Sequence, residues 1–317
     1  MFYAYNSSPD VDDSPAITTA VNLCGSDSTI HFLPNITYNL LTPLNFKNLT
    51  NVNFYFQGNI SLSENVTAVQ EVVNNTRIYP GRWITIKGTN VTFEGTKDKT
   101  GGWFLAHGEK WWSNLMMLSR VVDRTGLVSR GLWIRNIKIH HPVGWVFSIG
   151  GSDVEMKNIY IDAKSSDGYP FNTDGIDLSG SNVLIDGLEI HNGDDVINIS
   201  PPATNVTVRN VVASGTHGLS ISCSSGTGSN YTFENAYIYD SLMATRFKGR
   251  LGKTCNISDV TWRNIEVKNA MEVARPTHAG ILPRVNHQNI DLTTANGTAA
   301  GEVCTGLEGV EGMELPV

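Results

Sequence analysis

The sequence predicts an all-β fold: a right-handed parallel β-helix, or solenoid, that begins with a short N-terminal capping helix. A motif of alternating apolar residues, interrupted by Asn, Asp or Gly, recurs at steps of 22, 29, 23, 25 and 29 residues from position 131. Its internal period of two is that of a β-strand, which excludes helical repeats. Because one such unit cannot bury its apolar face alone, the units are expected to stack at about 4.8 Å per coil.

The first element is a helix predicted over about residues 14–23. It is opened by the segment DDSP at 12–15, in which Ser14 is a favoured N-cap residue and Pro15 suits the first helical position. Gly25 lies just after its end. We expect this helix to cover the first coil.

The coils follow, each made of two or three short strands joined by bends. The Asn or Gly inside the motif tolerates the left-handed backbone region, so the chain is expected to turn there. Copies of the motif begin at 51, 90, 131, 153, 182, 205, 230 and 259. We therefore predict a single domain over residues 1–317, with a cap at about 10–25, coils at about 28–269 and an irregular C-terminal segment at 270–317.

Composition limits the partners of the chain. With 40 % apolar and only 17 % charged residues, the sequence is that of a folded protein. A net charge of −7 argues against a nucleic-acid partner, and no apolar run approaches the ~20 residues that span a membrane. We expect a monomer.

Twelve Asn-x-Ser/Thr sequons predict a secreted glycoprotein with N-linked glycans, although no signal peptide is visible at the N-terminus. The sequons begin at Asn6, Asn35, Asn48, Asn59, Asn65, Asn74, Asn90, Asn198, Asn205, Asn230, Asn256 and Asn296. Four cysteines (Cys24, Cys223, Cys255 and Cys304) permit disulfides in such a chain but do not fix their pairing.

Four segments between the repeats are rich in reactive side chains: NTDGIDL from Asn172, NGDDVINI from Asn192, GTHGLSIS from Gly215 and TRFKG from Thr245. Aligned with one another, they are expected to stack Asp174, Asp195, His217 and Arg246 in one column. Asp194 lies directly before this column and Lys248 two residues along it. Because stacked carboxylates repel each other, the arrangement indicates a function rather than a contribution to stability.

The residue types suit acid–base cleavage of a glycosidic bond. One carboxylic acid can protonate the leaving oxygen while another carboxylate activates water. Crowding of Asp174, Asp194 and Asp195 is expected to raise one of their pKa values. Arg246 and Lys248 can hold a substrate carboxylate through charge-assisted hydrogen bonds.

The Asn-Thr-Asp, Gly-Asp-Asp, His-Gly and Arg-x-Lys motifs, in this order and one per coil, resemble the polygalacturonase family of glycoside hydrolases over about residues 10–269. The resemblance implies hydrolysis of α-1,4-galacturonosyl linkages in pectin, with inversion and without a metal or cofactor. It makes Asp194 the general acid, lets Asp174 and Asp195 position and activate water, and gives His217 a supporting role. It also implies that Arg246 and Lys248 bind the galacturonate carboxylate and that Asn172 orients groups nearby.

The chain departs from this family where cysteines usually follow Gly-Asp-Asp and precede the His-Gly motif: Val196 and Ala213 stand there. Cys223 and Cys255 come after equivalent strands of neighbouring coils, so they are candidates for a different disulfide.

The stretches HGLSIS and RFKGRLGK favour the exo-acting fungal members of the family. The alternatives are an endo-acting polygalacturonase, a xylogalacturonan hydrolase, a calcium-dependent pectate-lyase-like enzyme and an inactive sugar-binding solenoid.

Overall fold

The computed structural model describes residues 8–112, 125–166, 168–249, 253–277 and 285–294. The chain forms two compact units, Met1–Thr173 and Asp174–Val317. The helices of the first unit are α1 (Ser14–Leu23), α2 (Val66–Asn74) and α3 (Glu109–Trp112). Its strands are β1 (Ser26–Phe32), β2 (Thr37–Leu40), β3 (Leu44–Phe56), β4 (Asn59–Leu62), β5 (Ile84–Gly95), β6 (Trp103–Leu105), β7 (Thr125–Arg135), β8 (Lys138–His140) and β9 (Phe147–Asp162).

The strands of the second unit are β10 (Ile176–Leu178), β11 (Ser181–His191), β12 (Asp195–Ile199), β13 (Thr204–Ser214), β14 (Gly218–Cys223), β15 (Thr227–Gly249), β16 (Asn256–Thr277) and β17 (Val285–Thr294). In each unit every strand pairs in parallel with the strand one coil away, for example β3 with β5 and β11 with β13. The predicted parallel β-solenoid with an N-terminal helix is therefore confirmed.

The core of each unit consists of like residues stacked from coil to coil. In the second unit Ile185, Val208, Phe233 and Trp262 occupy one row of the register, and each is at most 3 % exposed. The rings of Phe233 and Trp262 stack with centroids 5.3 Å apart. The period of two in the sequence thus buries one face of each strand, as a solenoid requires.

Asparagines make the bends, as the motif predicts. Inside two copies of the motif, Asn210 and Asn235 have φ angles of 57° and 55°, and Asn182, Asn205 and Asn230, which begin three copies, have 53°, 53° and 59°. This is the left-handed region that Asn tolerates better than most residues. Their side chains also bond along the solenoid: Asn205 Nδ2 donates to Asn182 Oδ1 at 3.0 Å, and Asn230 Nδ2 donates to Asn205 Oδ1 at 3.1 Å. The same residue type therefore turns the chain and links the coils.

The start of α1 differs in detail from the expectation. Asp13 is the N-cap residue and Ser14 is the first residue of the helix. The Ser14 hydroxyl donates to the Thr42 carbonyl at 2.8 Å, and the Asp13 carboxylate accepts the backbone N–H of Asn39 at 2.8 Å. Both side chains tie the helix to the first coils instead of capping it. No helix in the described part of the chain is long and apolar enough to cross a membrane.

The expectation of an irregular segment from residue 270 is wrong for residues 270–277 and 285–294. Strand β16 continues to Thr277, and β17 pairs with it in parallel, with Val285 opposite Val260 and Ile290 opposite Ile265. The sequence VNHQNIDL is a further copy of the motif. It is hard to recognise because His287, a polar residue, occupies the position that pairs with the apolar Trp262. Residues 295–317 lie outside the described residues, and the single domain over residues 1–317 stays a prediction.

A disulfide joins Cys223 at the end of β14 to Cys255 just before β16, with Cα atoms 5.5 Å apart. This confirms the candidate pairing. Val196 and Ala213 are both fully buried, so apolar packing fills the places where the resembling family has cysteines. Cys24 is not disulfide-bonded to any described residue, and Cys304 lies outside them.

We expect replacement of both Cys223 and Cys255 by Ala to lower the free energy of unfolding by about 2–4 kcal/mol, because the bond closes a loop of 32 residues in the unfolded chain. Urea unfolding of the double variant and of the wild type measures this. Cys24→Ala is the matched control, and an equal effect of the two changes would contradict a stabilising role of the disulfide.

Candidate active site

Six of the seven predicted site residues lie in the second unit, on neighbouring coils of one sheet. Ile176 of β10, Ile197 of β12, Leu219 of β14 and Thr245 of β15 form one row of the register. All four are buried, and the residues that follow them (Asp177, Asn198, Ser220 and Arg246) lie on the opposite face of the sheet. The seventh residue, Asn172, lies at the end of the first unit, where it is half-buried with a φ of 54°; its expected role stays a prediction.

The predicted register holds for three of the four aligned segments and is wrong for Arg246. Ile176, Ile197 and Leu219, which lie two residues after Asp174, Asp195 and His217, pair as the alignment gave, with an irregularity that sets Asp195 opposite Gly218. Arg246 lies opposite Ser220 rather than His217. Phe247 continues the buried apolar row of Ile221, and that match was the signal for the correct alignment. The long Arg246 side chain still reaches the site, because its Nη1 lies 3.4 Å from His217 Nδ1 and 3.7 Å from Asp195 Oδ1.

Asp194 and His217 form the half-buried part of the site. His217 Nδ1 lies 3.0 Å from Asp194 Oδ1, and the same oxygen accepts the backbone N–H of Asp195 at 2.9 Å. Since an ionised carboxylate only accepts hydrogen bonds, the proton of the first contact belongs to His217 Nδ1. Burial alone would raise the pKa of Asp194, but the hydrogen bond and charge of His217, the charge of Lys248 and the backbone N–H of Asp195 together hold the pKa below its ordinary value.

Asp195 is fully buried, yet both of its oxygens are bonded. Ser220 Oγ donates to Oδ1 at 2.6 Å, and Lys248 Nζ donates to Oδ2. These partners compensate a buried charge that would otherwise be very costly. Burial raises the pKa of Asp195, and Lys248 opposes that rise.

Asp174 is only 4 % exposed, and its Oδ1 has no hydrogen-bond partner among the described residues. Burial, followed by the charges of Asp194 and Asp195, raises the pKa of Asp174 to about 9. One carboxyl of the cluster therefore keeps a proton at neutral pH, as the crowding predicted, although burial contributes more than repulsion. The buried Oδ1 of Asp174 therefore lacks, among the described residues, the hydrogen bonds that compensate both oxygens of Asp195.

The sequence analysis missed a row of uncharged polar side chains beside the carboxylates. Asn198 Nδ2 donates to Asp177 Oδ1 at 3.1 Å, and Ser222 Oγ donates to Asn198 Oδ1 at 2.7 Å. Ser220, the partner of Asp195, lies two residues before Ser222. The alternation in HGLSIS was the available signal, because it puts Ser220 and Ser222 on the face opposite the buried Leu219 and Ile221.

Asp194, Asp195 and His217 each bring one possible metal ligand within 4.8 Å of the others. Their surroundings do not fit calcium, which takes oxygen ligands. The carboxylate oxygens that could bind a metal already have hydrogen-bond donors. Asp194 Oδ1 contacts His217, and the two oxygens of Asp195 contact Ser220 and Lys248. These donors compete with a cation for the carboxylate oxygens.

Comparison with known proteins identifies the relatives of this chain. Residues 26–298 match the family model of the glycosyl hydrolases family 28. Over 279 residues the chain is 34 % identical to a protein named probable exopolygalacturonase C from Neosartorya fischeri, covering 84 % of this chain and 62 % of that protein. It is 29 % identical over 255 residues to probable endo-xylogalacturonan hydrolase A from Aspergillus flavus, covering 78 % and 60 %. The chain thus spans about 60 % of the length of these relatives.

Solved structures with the same fold include endo-xylogalacturonan hydrolase from Aspergillus tubingensis, with a TM-score of 0.76 and 20 % identity over 97 % of this chain and 98 % of that chain. An exopolygalacturonase from Thermotoga maritima gives a TM-score of 0.64 and 15 % identity over 88 % and 77 %. At these identities the likeness supports the fold alone.

Proposed function

The chain belongs to family 28 of the glycosyl hydrolases, and from this we propose that it hydrolyses α-1,4-galacturonosyl linkages of pectin, acting from a chain end and inverting the anomeric centre. The observation that carries the proposal is the contact of the cations Arg246 and Lys248 with the same carboxylate, Asp195, in a cluster of three aspartates. Acid–base groups for a glycosidic bond and cations for a uronate carboxylate therefore share one site.

Asp194 is the general acid in this proposal, and its proton is shared with His217. The proton of the pair lies on His217 Nδ1, 3.0 Å from Asp194 Oδ1. When His217 also carries a proton on Nε2, transfer of the Nδ1 proton to Asp194 leaves a neutral imidazole and gives the neutral carboxylic acid that protonates the leaving oxygen. The pair thus supplies a proton although the pKa of Asp194 alone is low.

Asp195 is the general base and Asp174 positions the water. The raised pKa of Asp195 improves its strength as a base. Asp174, protonated, can donate a hydrogen bond to the water oxygen. A substrate carboxylate competes with Asp195 for Lys248 and Arg246, so binding of galacturonate weakens the contacts that lower the basicity of Asp195.

The product profile tests this function. We expect saturated monogalacturonate from polygalacturonate at mildly acidic pH, unchanged by a chelator, when the products are resolved by size. A ladder of oligomers identifies an endo-acting enzyme, and activity restricted to xylose-substituted galacturonan identifies a xylogalacturonan hydrolase. Cleavage that a chelator abolishes, or binding without cleavage by well-folded protein, would contradict the proposal.

We further propose that the chain is secreted and glycosylated at only part of its sequons. Asn65 and Asn74 lie exposed at the two ends of α2, whereas Asn198 lies between Asp177 and Ser222 in the site. We expect glycans at the first two positions and none at Asn198, where one would cover the carboxylates. Glycopeptide mass spectrometry of protein secreted from a eukaryotic host measures this, and an occupied Asn198 in active protein would contradict it.

A further inference from the structure

Two successive aspartates serve one site, which a regular strand does not allow. Side chains of neighbouring strand residues point to opposite faces. Asp194 lies in the bend directly before β12, Asp195 is the first residue of that strand, and the register against β14 is irregular between Asp195 and Ile197. The conformation of the bend therefore decides whether both carboxyl groups reach the site.

Three donors fix this bend at a single atom, the backbone carbonyl oxygen of Asp194. Thr216 Oγ1 donates to it at 2.7 Å, the His217 backbone N–H at 2.9 Å and Asn192 Nδ2 at 3.0 Å. We call this arrangement the carbonyl clamp. Asn192 Nδ2 also lies 3.0 Å from the Asp195 carbonyl oxygen, so it holds the next peptide as well.

The clamp exceeds what burial requires. One hydrogen bond satisfies a buried carbonyl, whose oxygen has two lone pairs, yet this one accepts three. Thr216 is fully buried and Asn192 is 4 % exposed. The Thr216 hydroxyl also accepts the backbone N–H of Gly218 at 2.9 Å, which fixes the direction of its own proton towards Asp194.

We propose that Asn192 and Thr216 are positioning residues of the reaction, which hold the Asp194–Asp195 peptide so that Asp194 faces His217 and Asp195 faces Ser220 and Lys248. This inference rests on the proposed function. The clamp comes from two coils, because Asn192 precedes β12 and Thr216 precedes β14. It therefore couples the placement of the acid to that of His217, which directly follows Thr216.

The test compares Thr216→Val, which keeps the shape but removes the hydroxyl, with Thr216→Ser, which keeps the hydroxyl. We expect Thr216→Val to lower kcat on polygalacturonate by about 10²-fold, the effect of a displacement near 1 Å, with little change in KM. Thr216→Ser should retain most of kcat. Asn192→Ala removes the amide donor and should lower kcat in the same way as Thr216→Val.

Thr261→Val is the matched control, because Thr261 is a half-buried threonine of β16 in the same unit, pairs with Thr232 rather than with a site residue, and belongs to no sequon. Cooperative urea unfolding must show that every variant is folded. A folded Thr216→Val with wild-type kcat, or an equal loss of kcat in Thr216→Ser and Thr216→Val, would overturn the clamp as a positioning device.

A wild-type chain that cleaves no galacturonan would overturn the proposed function, and the clamp is then tested by geometry. A crystal structure of Thr216→Val should show Asp194 Oδ1 beyond hydrogen-bond distance of His217 Nδ1. An unmoved carboxylate in that structure would overturn the clamp, whatever the substrate of the protein.

Discussion

Replacing Asp194 with Asn should lower kcat on polygalacturonate by about 10³-fold or more, while KM changes little. Positioned general acid–base groups contribute about 10²–10⁴-fold to a rate, and an amide of the same shape has no acidic proton to deliver. The Asp194–His217 hydrogen bond, through which we propose the proton is supplied, changes at the same time. Steady-state kinetics with equilibrium binding of oligogalacturonate separates the loss of turnover from any loss of binding.

Asp186→Asn is the matched control for this experiment. Asp186 lies on β11 of the same unit and bonds Arg209 at 2.8 Å, away from the site. We expect its kcat to stay close to that of the wild type. If Asp194→Asn keeps its turnover, or loses no more than Asp186→Asn does, Asp194 is not the general acid.

Asp174→Asn should stabilise the fold at neutral pH. The wild-type carboxyl is buried and has a raised pKa of about 9, against about 3.9 in an unfolded chain. Between these values the folded chain keeps a proton that the unfolded chain has lost, so the stability of the wild type falls as pH rises through this window. Asn does not titrate and escapes this loss.

The gain in the free energy of unfolding should therefore be small near pH 4 and reach about 2–4 kcal/mol at pH 7, since one pKa unit corresponds to about 1.4 kcal/mol. Urea unfolding of the wild type, Asp174→Asn and Asp186→Asn at both pH values measures it. A gain that is the same at both pH values, or a destabilised variant at pH 7, would contradict the protonated state of Asp174.

Much of the fold could be predicted from the sequence because every coil of a solenoid has the same pattern of buried apolar residues and bends. The period of two and the Asn at each bend identified strands such as β11 and β13 directly. The copy containing His287 was missed because one apolar position of the motif carries a polar residue. There the parallel pairing with β16, rather than the local pattern, defines the strand.

The chemistry of the site was predictable as a set of residues but not as a geometry. The order of the four motifs, one per coil, predicted that the following residues share one site: Asp174, Asp194, Asp195, His217, Arg246 and Lys248. The register of Arg246 was wrong, since it depends on which apolar residue, Phe247, fills the row of Ile221. Partners such as Ser220 and Thr216 were not identified, because their importance lies in contacts between coils that no single motif contains.

The most direct test of the central claim is proton NMR of polygalacturonate during the first turnovers of the purified protein. Inverting hydrolysis of an α-linkage predicts saturated galacturonate that appears first as the β-anomer and only later equilibrates with the α-anomer. An α-anomer formed first, or an unsaturated product, would contradict the account of Asp194 as general acid and Asp195 as general base.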